Sequence, residues 1–434
     1  MNGWRETTLG EVIKVKHGFA FKGEYFRELG TDVILTPGNF APHGGLQLRG
    51  GKAKFYDGPF PAEYRLSAGD LLIALTDLKQ DAPILGSPAV VPPKGSFLHN
   101  QRLGLVVTLS PGQLDPRFLF YLFAADSTRS QLRATATGTT VRHTAPERIY
   151  AVRIQLPPMD QQERIGRILG DIDDLVENNR RRIELLAQVA QMIYQKWFLR
   201  FQYPGREDDR LLDSPLGPIP AGWGVRSGGE LFHVDKGVSY KGSFLSDEGR
   251  PMVGLKCFDA QGGFRFDGLK GYAGPVKERH LVRAGDVVMA NTDLTQAGTI
   301  IGRVVAVPPV RNVDEVAVSH HVFALRPKDL PPVFLRYALG EARFRNYARG
   351  AASGTTVLGL RRDDVLAYPM IQPPRGLVLA FAEIASDVQA LQVRLAEASR
   401  CLSLVRKLVL PRLMSGKVDV STLSLSECVG EATG

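Results

Sequence analysis

A chain of 434 residues, 44% hydrophobic and 23% charged, has the composition of an ordinary globular protein of about three domains, which excludes disordered and fibrous classes. Its net charge of +9 favours a polyanionic partner. No apolar run is read as approaching the roughly 20 residues of a bilayer span, and the opening MNGWRETTLGEV lacks a basic stretch followed by an apolar core, so the expectation is a cytoplasmic chain with no membrane contact and no signal peptide. Cys257, Cys401 and Cys428 lie far apart without metal spacing and read as buried or idle thiols.

The first 157 residues are rich in Gly and Pro, with short β-type runs such as DVILTPG, DLLIAL and LGLVVTL bounded by turn residues. A single helix is expected at 116–133, opened by Pro116. Residues 160–200 change character. They hold no Pro, and no Gly beyond Gly166 and Gly170. Ile165, Ile172, Asn179, Leu186 and Ile193 are seven apart, and Leu169, Val176, Ile183, Ala190 and Trp197 fill a second line, making a heptad seam over about five repeats. Asp160 and Glu163 form a capping-box pattern at its start, and Tyr203–Pro204–Gly205 is expected to end it. Asn179 either fixes register as a buried polar seam residue or sits at the wet edge of the seam.

From 215 to 373 the β texture returns with DVVMAN, GRVVAVPP and HHVFALRP, and a helix is expected at 332–348. A second seam follows at 376–410: Phe381, Val388, Leu395, Leu402 and Val409, with Ile384, Leu391, Ala398 and Val405 as its second line and Pro411 as its kink or end. His320 and His321, if on a strand, point to opposite faces.

The two halves echo each other. TGTTV at 137–141 returns as SGTTV at 353–357, and AGDLLIALTDLKQ at 68–80 as AGDVVMANTDLTQ at 284–296, both 216 positions on. GFAFKGEYF at 18–26 returns as GVSYKGSFL, and Gly3–Trp4 as Gly222–Trp223, both shifted by 219. A period this long means two whole domains, not a solenoid. The pattern predicts an α+β chain: two similar β-rich domains, two long helices packed as an antiparallel coiled coil, and an internal pseudo-two-fold repeat. The boundaries read as 1–157, helix 158–203, 215–373, helix 375–415 and a tail 416–434.

Signatures of catalysis are missing. There is no GxxxxGK[ST], no Gly-x-Gly-x-x-Gly after a strand, and no Asn-Pro-Pro-Tyr or Asp-Pro-Pro-Tyr, since the five Pro-Pro pairs follow Val91, Leu156, Val307, Leu330 and Gln372. No His/Cys/carboxylate group has metal spacing. That argues for a recognition or scaffold protein over a fused methyltransferase or nuclease.

A β-rich domain ending in GTT, then Pro-Pro, then a Gln/Glu-rich helix entry, all written twice, resembles the specificity subunit of type I restriction–modification systems. The matching pieces are PPMDQQERIGRILGDIDDLVENNRRRIELL (157–186), KWFLRF (196–201) and LVLPRLMSGKVDV (408–420). The resemblance implies two target recognition domains, each reading one half of a split, asymmetric site in double-stranded DNA, and paired helices that set the spacing. It implies docking of two methyltransferase subunits that use S-adenosylmethionine, and a translocase–nuclease restriction subunit that uses ATP with magnesium. The chain itself would bind no cofactor and do no chemistry. The second helix entry, PPRGLVLAFAEI, departs from the pattern by lacking the carboxylate and amide residues at the entry, where Gly376, Leu377, Val378 and Leu379 stand. A pseudo-dimeric protein adaptor without DNA readout is the alternative reading.

Two heads reading different half-sites should share a scaffold and differ in reading loops. HGGLQLRGGKAK at 43–54 faces QGGFRFDGLKGY at 261–272, so Gln47 opposes Arg265 and Arg49 opposes Asp267. Gln suits adenine, Arg guanine and Asp cytosine, although a polar hairpin in solvent fits the same residues. Lys22 and Lys241, each before a glycine, suit phosphate contacts. Thr76, Asp77 and Gln80, with Thr292, Asp293 and Gln296, either reach bases or cap a turn. Thr139, Thr140, Arg142 and His143, with Thr355 and Thr356, offer hydroxyls and charge to a phosphate or close a local turn.

Overall fold

The computed structural model describes residues 3–48, 53–110, 112–139, 141–206, 210–260 and 262–420. The chain divides into two compact units, residues 1–178 with 398–434, and residues 179–397.

In the first unit an antiparallel sheet has the order Ile13–His17, Leu103–Thr108, Leu71–Ala74, Pro88–Val90. Ile13–His17 alternates buried and exposed residues, as an edge strand with one wet face should. Leu71–Ala74 is buried throughout, because Leu71 and Ile73 face one apolar cluster while Leu72 and Ala74 face another. A second sheet has the order Phe26–Arg27, Lys54–Tyr56, Asp32–Leu35, Ser96–His99, Arg65–Leu66, with Asp32–Leu35 and Ser96–His99 parallel. Arg5–Thr8 pairs antiparallel with Arg153–Leu156, tying the start of the chain to the approach to the first long helix.

The second unit repeats this plan. One sheet runs Phe232–Lys236, Val322–Pro327, Val287–Ala290, Val304–Ala306. The other runs Lys270–Tyr272, Leu245–Val253, Glu315–Val318, Leu281–Arg283, again with one parallel pair. Gly224–Ser227 pairs with Pro369–Gln372, as Arg5–Thr8 does with its partner.

Each helix expected as a single piece is two. Pro116–Ala124 is followed by Asp126–Ala134, with Ala125 extended between them (φ −69°, ψ 138°). Pro332–Gly340 is followed by Ala342–Ala351, with Glu341 extended (φ −70°, ψ 151°). The break turns the second short helix so that Arg129 donates to the carbonyls of Leu85 (2.9 Å), Pro42 (2.8 Å) and Pro83 (2.6 Å). Burial lowers this guanidinium's pKa to about 10, so it stays charged at neutral pH. Its counterpart 216 residues on, Arg345, donates to Thr299, which is the counterpart of Pro83.

The long helices span Met159–Tyr194 and Arg375–Met414. Asp160 lies inside the first turn and is not the cap, since Gln161 and Gln162 N–H both donate to Pro158 O. The first helix ends before Tyr203, through a π-helical turn at Gln195–Leu199 and a left-handed Phe201 (φ +56°). Pro411 does not end the second, which continues to Met414. Over 18 residues this second helix reaches a mean hydropathy of 1.3, long and apolar enough to cross a membrane by length and composition alone. Glu383, Asp387 and uncharged Ser and Gln interrupt its apolar positions, so no continuous apolar run is visible. Its Val378, Phe381, Ala382 and Ala385 are core residues of the second unit, and Leu413 and Met414 of the first.

The first seam lies as its heptads predict. Ile165, Leu169 and Ala190 are buried, and Ile172, Val176, Ile183, Leu186, Ile193 and Trp197 are half-buried. Asn179 is 9% exposed, so the edge-in-water reading is set aside. The second seam needs correction. Phe381 and Leu395 are buried and Val388, Leu402 and Val409 half-buried, but in the other line Leu391, Ala398 and Val405 are exposed and Ile384 only half-buried. The line that packs is one residue later: Ala385, Gln392, Ser399, Arg406 and Leu413. Gln392 Nε2 donates to Ile183 O (2.9 Å), and Arg406 pairs with Asp173 (2.7 Å). Three of these five are polar, so a hydrophobic reading slid to the apolar neighbours. Adding the repeat of 216 to Leu169, Val176, Ile183, Ala190 and Trp197 gives the correct line.

Candidate nucleic-acid interface

In each unit the short motifs of the sequence converge on one edge. Thr76–Asp77 pairs antiparallel with Arg142–His143, and Thr292–Asp293 with Leu358–Gly359. The TD loop and the GTT turn are therefore neighbours in both copies. Phe19 N donates to His99 O and Gln101 N to Phe19 O, which brings the Lys22 loop alongside. Leu75 N donates to Arg102 O and Thr144 N to Leu75 O, closing the set. The second unit makes the same frame: Val238 N to Val318 O, His320 N to Val238 O, Asn291 N to His321 O and Leu360 N to Asn291 O.

The GTT turn is shaped by its glycine. Gly138 (φ +96°) and Gly354 (φ +132°) are left-handed, and a Cβ on either would run into a carbonyl, Val141 O or Val357 O. Thr137 and His143 exchange both backbone hydrogen bonds at 2.9 Å, as Ser353 and Gly359 do at 2.8 and 3.0 Å. Thr139, Thr355 and Thr356 project into solvent. Thr140 lies outside the described residues. His143 is exposed, with Nδ1 3.1 Å from Thr76 Oγ1. Arg142 turns inward, towards the carbonyls of Gly138 (3.4 Å) and Arg133 (3.5 Å).

The TD carboxylates face inward, which corrects their candidacy as base contacts. Asp77 is 2% exposed and accepts from Lys79 N (2.9 Å) and Ile84 N (2.6 Å). Asp293 is 1% exposed and accepts from Thr295 N (2.9 Å), Thr295 Oγ1 (2.8 Å) and Ile300 N (2.7 Å). Burial alone would raise the Asp293 carboxyl, but those N–H and hydroxyl donors hold it below its ordinary value. Thr76 is buried, and Thr292 is half-buried with its hydroxyl on Asn291 Oδ1 (2.7 Å). These four residues shape the loop. Gln80 and Gln296 remain exposed, and Gln296 Nε2 donates to Thr355 O (2.7 Å), joining loop to turn. Lys22 and Lys241 are exposed at equivalent places, each just before a single 3₁₀ turn.

The hairpin loops keep their frame and change their side chains. Gln47 N donates to Asn39 O and Arg265 N to Cys257 O. Gln47, Arg265 and Asp267 are exposed. Arg265 holds Asp267 through two hydrogen bonds (3.1 and 2.6 Å), which raises the guanidinium pKa and lowers that of the carboxyl. Arg49 lies outside the described residues.

Sequence reasoning passed over one pair on this edge. Gln101 and Arg102 occupy the positions of His320 and His321. The histidines are in a turn, not on a strand, and their rings lie 3.8 Å apart. Burial is the main cause lowering both pKa values. The rule that reading positions differ within aligned loops would have found them.

Residues 1–188 match the family model for the type I restriction modification DNA specificity domain. The chain is 22% identical over 319 residues to the type I restriction enzyme MjaIX specificity subunit of Methanocaldococcus jannaschii, covering 70% of each. It is 23% identical over 316 residues to the MjaVIII specificity subunit of the same organism, covering 72% of each. The S subunit of a type I restriction–modification system from M. genitalium has the same fold, with a TM-score of 0.58 at 14% identity over 95% of this chain and 96% of that one. Each of the two units carries the same loop edge on a β-rich frame together with parts of the two long helices. Residues 1–188 thus carry the match to the type I restriction modification DNA specificity domain, and the chain is similar to type I specificity subunits over 70–72% of its length.

Proposed function

We propose that this chain reads a bipartite, asymmetric site in double-stranded DNA, each unit's loop edge taking one half. The observation that carries the reading is a main-chain frame written twice beneath side chains that differ: exposed Gln47 against exposed Arg265, and exposed Gln101–Arg102 against half-buried His320–His321. Side chains of these kinds read base edges or hold phosphates. Lys22, Lys241, Thr139, Thr355 and Thr356 are the common contacts to backbone phosphate on this reading.

The helices carry a second duplicated feature. In the second unit Leu185, Val189 and Met192 form an exposed stripe at helical spacing on the first long helix. The same positions 216 residues on are Cys401, Val405 and Leu408, exposed in the first unit on the second helix. Two equivalent apolar stripes suit two copies of one partner, the methyltransferase subunit. S-adenosylmethionine belongs to that subunit and ATP with magnesium to the restriction subunit.

The test is co-expression with a methyltransferase partner and mapping of N6-methyladenine in the host genome. A split motif with two fixed halves is expected, and exchange of residues 1–157 for another head should change one half alone. A complex that forms but methylates no split motif would return the chain to the adaptor reading.

A further inference from the structure

Exposed large hydrophobic residues are common singly, but a duplication that keeps one exposed twice marks a shared use. Four pairs related by 216 occur among the exposed large hydrophobics of the described residues. Three lie on the long helices: Leu175 with Leu391, Val189 with Val405 and Met192 with Leu408. The fourth, Leu78 with Leu294, lies on the loop edges of the two units, 65% and 63% exposed.

These leucines are not on slack loops. Each follows the buried aspartate that closes its loop, Asp77 on the N–H groups of Lys79 and Ile84, Asp293 on those of Thr295 and Ile300. Arg129 and Arg345 pin the far end of each loop. Each loop also pairs with its GTT turn. A loop anchored at both ends thus holds an exposed leucine next to the strand that pairs with the end of the GTT turn. In the second unit Arg303, Arg345 and Arg349 donate to carbonyls of the same loop, and residues 294–313 contain no carboxylate. That surface suits a polyanion.

Resting on the function proposed above, we infer that Leu78 and Leu294 are apolar DNA contacts, one per half-site, packing against base edges or between base steps. Apolar side chains serve DNA binding in both ways. Because the residue is the same in both heads, it supplies affinity and local DNA shape without distinguishing the halves.

The test uses the full chain with Leu78→Ser, Leu294→Ser, both together, and Leu78→Met as the apolar control. The probe is a fluorescent duplex pool with a randomised centre, together with duplexes that the unaltered chain selects from it. Each Ser variant should weaken binding about tenfold, the scale of one leucine-sized apolar contact. The double variant should weaken it further, the Met variant should bind like the parent, and the selected motif should stay the same. Melting temperatures should not change, since both side chains are in water. Equal binding by parent and Ser variants overturns the leucine assignment and leaves the DNA reading standing. Lost co-purification with the methyltransferase partner at unchanged DNA affinity also overturns it, giving the leucines to protein docking. A parent chain with no salt-dependent binding to the pool overturns both proposals.

Discussion

Each head meets the long helices through the same backbone plan and different chemistry. At the first junction the contacts are polar. Gln162, 1% exposed, accepts from Asp115 N (3.0 Å) and donates to Gln113 O (3.2 Å) and Pro157 O (2.9 Å). Trp4 Nε1 donates to Gln161 Oε1 (2.8 Å). Tyr121 OH donates to Asp173 Oδ2 (2.7 Å), and Arg406 pairs with the other oxygen of Asp173 (2.7 Å) while lying over the Tyr121 ring. At the second junction Leu377 and Val378 stand where Gln161 and Gln162 stood, and Ala190 where Arg406 stood. Tyr194, Phe198, Phe334, Tyr337 and Phe381 fill the space with edge-on and stacked rings. Trp223 Nε1, the counterpart of Trp4 Nε1, is buried with no hydrogen-bond partner among the described residues. One frame therefore tolerates either directional bonds or apolar area, and each set works only as a set.

The sharpest way to break the second junction is Phe381→Ala. Five aromatic neighbours lose their common contact, and a loss of about 3–5 kcal/mol is expected from denaturant unfolding. Importing the second junction's residue into the first, Gln162→Val, should cost about 2–3 kcal/mol, because Asp115 N–H and two carbonyls lose their buried partner. The reverse change, Val378→Gln, should destabilise too, by burying an amide among rings. Asp173→Asn keeps the shape and removes the charge. It should cost about 1 kcal/mol, with no matching loss when Gln389, the equivalent residue of the second unit, is changed to Leu.

A pH test separates a loop clamp from a surface ornament. The Asp293 carboxyl is lowered on folding, so its contribution is complete above the ordinary value of 3.8 and is lost as pH falls through its lower folded value. Amide exchange of residues 294–300, corrected for the intrinsic rate, should accelerate in that acid range, and Asp293→Asn should remove the dependence. The smallest effect on stability is expected from Arg265→Ala. It opens an exposed ion pair, should leave the melting temperature unchanged, and should alter one half of the methylated motif.

The heads and helices were legible because apolar runs, turn residues and heptads follow directly from burial. The break at Ala125 was not, since no Gly or Pro marks it, and at Glu341 only Gly340 does; the loop carbonyls that Arg129 and Arg345 reach in the second short helices lie far away in sequence. The second seam misled because Gln392, Ser399 and Arg406 pack through hydrogen bonds and ion pairs, which an apolar count ignores. For the candidate interface, the repeats at TD and GTT located the edge. They did not say which side chains face out, because an aspartate closing a turn and one reading a base look alike in sequence.

The first unit has one more property. Its core is completed by Leu413, Met414 and Val420, packed with residues from Leu9 to Leu169. The second unit is one unbroken stretch, 179–397. On a ribosome, the half translated first must therefore wait for the last part of the chain, while the half translated second already holds all its residues. Order of synthesis and order of completion are reversed, and a chain cut short before Leu413 would carry a finished second head and an unfinished first.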